Sequence, residues 1–70
     1  MEINREKLME LMNQYCNGNY NRFGRELNID PSHLYRFLKT GVGGGKKLAG
    51  AVIRFCKSKN LDYEQYFIFD

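Results

Sequence analysis

Asn19–Gly41 reads NYNRFGRELNIDPSHLYRFLKTG, and its pattern is that of two short helices joined by a tight turn. Phe23 and Leu27 stand four apart, so they share one face of a first helix over Tyr20–Leu27, behind an Asn19 cap. Gly24 lies on the same inner side and is small enough to let a second helix cross closely. Asn28 tolerates the left-handed conformation that ends a helix, and Asp30-Pro31 is a strong start signal. Asp30 offers an acceptor to a first-turn amide, while Pro31 at the first helical position has no amide to leave orphaned. The second helix, Pro31–Lys39, carries Leu34, Phe37 and Leu38 as its inner stripe. Ser32, His33, Tyr35, Arg36 and Lys39 are left facing outward. Such a pair is a helix-turn-helix.

The flanking segments extend the helical pattern. Leu8, Leu11, Met12, Tyr15 and Cys16 form one apolar stripe on a first helix over residues 4–16, with Asn4 as its cap and Ile3 placed to staple back onto it. Asn17-Gly18 closes that helix, Gly18 taking the left-handed position. A fourth helix spans Lys46–Lys59 on Leu48, Val52, Phe55 and Cys56, and Gly50 within it marks a weak point or a close crossing. Asp62 and Gln65 form a capping box for a fifth helix over Tyr63–Phe69. Tyr66 to Phe69 is more apolar than one helix face requires, and the surplus is a candidate dimer contact.

The chain of 70 residues is one small domain, 43% hydrophobic and 14% aromatic, which excludes disorder. A core of this size gives only a few kcal/mol of net stability, so the chain is expected to be nearly all secondary structure, or dimeric. One proline and no alternating β-branched runs exclude an all-β fold. No signal peptide or membrane-length apolar run is present, so a cytoplasmic location is expected. Cys16 and Cys56 fall on apolar faces and read as buried reduced thiols. With His33 the lone histidine, no metal cluster, catalytic nucleophile–base pair or paired carboxylate can be assembled, and an enzyme is not expected.

Charge is segregated. Between Pro31 and Lys59 lie seven cations (Arg36, Lys39, Lys46, Lys47, Arg54, Lys57, Lys59) and no acid; the four remaining cations face all eight acids elsewhere. That is the footprint of a polyanion binder. In a DNA major groove Arg36 can bond guanine O6 and N7, Ser32 several base edges, His33 as donor or acceptor, and Tyr35 a thymine methyl or a phosphate. The amide-rich start of the Tyr20 helix suits Asn19, Tyr20, Asn21 and Arg22 to a phosphate. Thr40–Lys47 fails the phosphate-loop pattern, because Thr40 replaces its first glycine and Lys47 its hydroxyl residue. It reads instead as a flexible connector whose amides, with Lys46 and Lys47, follow a DNA backbone.

The element order, with F-G-R-E-L-N-I-D-P-S-H-L-Y-R-F-L and L-D-Y-E-Q-Y-F, resembles the phage repressor and Cro type of helix-turn-helix domain, the lambda-repressor-like fold, over about residues 4–69. The resemblance implies an all-α, five-helix domain. It also implies base contacts from Pro31, Ser32, His33 and Arg36, and phosphate contacts from Asn19 to Arg22 and from the Lys39–Lys47 segment, Thr40 included. Pro31 stands where the family often has a polar base reader, and the Thr40–Gly45 loop is longer and richer in glycine than usual. The expected partner is double-stranded DNA, bound by a homodimer acting as a transcriptional repressor, with no cofactor, no small-molecule ligand and no membrane. The alternative is a protein-binding module of the same fold, such as an antitoxin or accessory factor.

Overall fold

A computed structural model describes residues 2–69. In chain order these form β1 (Glu2–Ile3), α1 (Arg5–Cys16), α2 (Tyr20–Leu27), α3 (Pro31–Thr40), α4 (Lys46–Ser58), a 3-10 turn (Tyr63–Tyr66) and β2 (Phe67–Ile68). Three helices start where a side chain supplies the missing acceptor. Asn4 accepts from the Lys7 amide at 3.1 Å, Asn19 from Arg22 at 3.0 Å and Asp30 from Ser32 at 2.8 Å. The fourth start is different: α4 begins at Gly45 with no side-chain cap. Asn17, Asn28 and Gly41 close the first three helices in the left-handed region, with φ of 52°, 57° and 82°.

The four helices and the 3-10 turn enclose one core, to which every element contributes. Leu8, Phe23, Leu34, Leu48, Val52 and Cys56 are fully buried. Phe55 sits edge-on between Phe23 and Tyr15, with 5.6 Å between centroids in each pair, a geometry that suits aromatic quadrupoles. Cys16 and Cys56 are free thiols inside this core. Burial pushes both above the ordinary thiol value; Arg22 and Lys59 partly oppose it at Cys16, and Asp62 adds to it at Cys56. Both side chains therefore act as small apolar fillers. Among the described residues no helix is long and apolar enough to cross a membrane.

The chain's end departs from the expected fifth helix. Asp62 caps the Glu64 amide at 3.0 Å, but after a single 3-10 turn the backbone extends. β2 pairs antiparallel with β1, Glu2 opposite Ile68 and Ile3 opposite Phe67. The Asn4 amide adds a bond to the Tyr66 carbonyl at 2.9 Å. Aromatic and β-branched residues favour this extended pairing, and so short a helix would be marginal. Ile3 thus enters the core as a strand residue, buried across from Phe67 and in the same cluster as Leu8.

Of the two glycine expectations, the one at Gly24 is met and the one at Gly50 changes. A Cβ on Gly24 would lie 2.7 Å from the Ile29 carbonyl oxygen and 3.1 Å from Pro31 Cγ, so the close approach is to the turn and the first residue of α3. Gly50 has only Arg54 nearby, at 3.6 Å, and marks no close crossing.

Candidate nucleic-acid interface

On α3, Ser32, Tyr35, Arg36 and Lys39 follow the i, i+3, i+4, i+7 rule and are all exposed. Leu34, Phe37 and Leu38 occupy the opposite face at 0%, 4% and 5% exposure. The helix therefore presents one continuous polar stripe while its other side anchors it. Asp30 and Pro31 start α3 where the turn delivers it, and the Asn28 amide to Arg25 and Ile29 amide to Gly24 bonds, 3.1 and 2.8 Å, hold that turn against α2.

Each flank of the stripe is occupied by a different part of the chain. On the Tyr35 side stands Tyr20, the first residue of α2, with ring centroids 5.0 Å apart, and Lys39 Nζ lies 5.6 Å from the Tyr35 ring centre. On the opposite side, the loop leading into α4 packs against His33 and Phe37. His33 is half-buried, and its Nε2 is 2.7 Å from the Gly43 carbonyl. Thr40 Oγ1 donates to the Arg36 carbonyl at 2.7 Å and accepts from the Val42 amide at 3.1 Å. The loop expected to be a flexible connector is thus fitted to α3.

The polar groups differ in what they have left to offer. Asn19's side chain is engaged in its cap, whereas Asn21 and Arg22 are exposed and Tyr20 is half-buried. Pro31 is half-buried, its ring turned toward Gly24. Thr40's hydroxyl is engaged on both sides. Lys46 and Lys47 are exposed on the first turn of α4, whose amides have no side-chain cap. Among the described residues the one ion pair is Lys7–Glu10, at 4.0 Å. Arg22, Arg36, Lys39, Lys46 and Lys47 therefore have no described carboxylate within pairing distance.

The basic block of the sequence does not form a single patch. Lys57 lies at the opposite end of α4 from Lys46, about 16 Å along its axis, and Lys59 caps that far end. Lys59 Nζ stands over the Tyr15 and Phe55 rings, at 5.7 and 5.5 Å, so its position has a local cause. Arg5 was given no part by the sequence pattern. Its guanidinium lies beside Gly41 at the C-terminal end of α3, where a cation suits the helix dipole. With Glu2, Ile3, Phe37, Gly44 and Ile68 it lines an open cleft of about 400 Å³.

No protein-family model, curated protein or solved structure matches this chain.

Proposed function

We propose that the protein binds duplex DNA sequence-specifically as a small transcriptional regulator of phage or bacterial type, most simply a repressor. In this reading α2 and α3 are a helix-turn-helix of the lambda-repressor-like kind, and α3 enters the major groove. Arg36 bonds guanine, Ser32 bonds a base edge, and Tyr35 and Pro31 make apolar contact. His33, expected at a base edge, turns its Nε2 to the Gly43 carbonyl instead, and in this reading it contacts no base. Asn21 and Arg22, the Tyr20 and Asn21 amides, and Lys39 grip phosphates on one flank, and Lys46 and Lys47 do so on the other; the Asn19 amide, bonded to the Cys16 carbonyl, and the Thr40 hydroxyl, bonded to the Arg36 carbonyl, are already engaged. Binding acts sterically, by occupying a site that polymerase or a competing factor needs.

The observation that carries the reading is the bracketed stripe. Ser32, Arg36 and Lys39 stand exposed between the start of α2 and the loop that leads into α4, Tyr20 touching Tyr35 on one side and Gly43 touching His33 on the other. Its cations have no described acidic partner. A helix that must reach base edges with phosphate-binding amides to either side has this arrangement. The side chains Ile68 and Phe69, 45% and 54% exposed, supply the surface for a homodimer through which two such helices meet half-sites about 34 Å apart.

Selection from a random duplex library near physiological salt tests this. A palindromic enriched site supports specific binding by a two-fold dimer; a single non-repeating site supports specific binding by a monomer. No enrichment, and no retention of the pool at low salt, overturns the DNA reading in favour of a protein partner.

A further inference from the structure

We infer that His33 is a positioning residue: it latches the Thr40–Gly45 loop onto α3 and so sets where Lys46 and Lys47 stand relative to the exposed stripe. This rests on the DNA-binding reading for its consequence, though not for its geometry.

A carbonyl oxygen only accepts, so the 2.7 Å contact between His33 Nε2 and Gly43 O assigns the proton to Nε2. The ring nitrogen that could best reach outward is thereby turned to the loop. The loop is shaped for this contact. Gly43 has φ of 93°, and a Cβ there would lie 2.7 Å from Nε2 and 2.9 Å from Cδ2 of the same ring. At Gly44 a Cβ would collide with the ring of Phe37, one turn further along α3. Two successive glycines thus allow the backbone to lie flat on two side chains of one helix face. Thr40 takes the Val42 amide, completing the attachment.

Without the His33 bond, this glycine-rich segment keeps much of the backbone freedom that folding must otherwise remove. The uncapped first turn of α4 follows directly, at Gly45. A loosened lead-in makes ordering of that turn part of the binding event, and affinity falls while the base-reading residues are untouched. His33 therefore acts on the phosphate clamp, not on sequence preference.

The test compares wild type with His33→Ala and His33→Gln, since a glutamine amide can still donate to Gly43 O. In the protein without DNA, 15N relaxation of the Val42–Gly45 amides should show an ordered loop in wild type, a mobile one in H33A and a largely restored one in H33Q. On the duplex enriched by wild type, H33A should bind roughly three- to tenfold more weakly, with the same selected sequence, and H33Q should recover most of the loss. A loop as ordered in H33A as in wild type overturns the latch. So does a selected site that changes at one position while the loop stays ordered, because His33 would then be reading a base. If wild type enriches no duplex, the DNA reading fails, and the relaxation data still decide the latch.

Discussion

The two connections of α3 solve the same problem by different means. The Asn28–Asp30 turn closes on the backbone of α2 and buries a side chain of its own: the Ile29 amide reaches the Gly24 carbonyl at 2.8 Å, and the Ile29 side chain is driven into the core at 4% exposure. The Gly41–Gly45 loop buries nothing of its own. All five of its residues are exposed, and beyond the Gly41 amide's 2.8 Å bond to the Phe37 carbonyl its hold on α3 comes from the Thr40 and His33 side chains of that helix. One connection is anchored by its own buried side chain and the other by side chains of its neighbour. A connection of the first kind fixes the angle between two helices, whereas release of the second uncovers no core side chain of its own and only the Phe37 ring beneath Gly44.

The sharpest way to break this contrast is at the anchored end. Ile29→Ala should cost about 2–5 kcal/mol, as for other buried aliphatic truncations, and chemical denaturation would measure it. A loss below 1 kcal/mol would mean that the turn's anchor is not its buried side chain. Next in size is Gly24→Ala. In an exposed helix this change stabilises by about 1 kcal/mol, but here the new methyl meets a backbone oxygen, and a net loss of about 1–3 kcal/mol is expected. A higher melting temperature for G24A would show that the turn yields where the geometry says it cannot.

At the other connection the effects are smaller and move function before stability. Replacing Lys46 and Lys47 together by Ala should leave melting nearly unchanged and flatten the log–log salt dependence of DNA binding by nearly two units. An unaltered slope would make these lysines solvated bystanders. The smallest effect belongs to Gly45, which has open space where a Cβ would go. Gly45→Ser should add roughly 0.5 kcal/mol, through the missing cap and reduced freedom of the unfolded chain. A destabilised G45S would reveal a constraint on the loop that its open surroundings do not show.

The same contrast explains what could be read in advance. The turn after α2 is announced by residues whose own chemistry enforces it: Asn28 for the left-handed step, Asp30 for the cap, Pro31 for the first helical position. The helix starts at Asn4 and Asn19 are legible for the same reason. The loop after α3 looks slack in the sequence because its constraint lies ten residues back, in an imidazole whose direction no local pattern reveals. Gly43 and Gly44 look interchangeable in the sequence, and only proximity to His33 and Phe37 separates them from Gly45. The strand pair was hidden too, because two residues at each end of the chain are too few to show a period of two. The capping signal at Asp62 was legible and real, but a cap starts a turn without setting its length. Of the candidate site, the exposed stripe of α3 was visible from periodicity, while the engagement of Thr40's hydroxyl and the placement of Arg5 against Gly41 depended on packing.

The β1–β2 ladder sets Glu2 directly across from Ile68, so the described chain enters and leaves at one point. Polypeptide joined at either end would emerge from the same edge, beside the cleft that Phe37 and Gly41 help to line. Topologically the fold is a nearly closed ring, suited to insertion into another protein's surface loop. A short peptide bridge between the ends would also permit circular permutation, with the new opening cut at the exposed Gly45, where a side chain would meet open space.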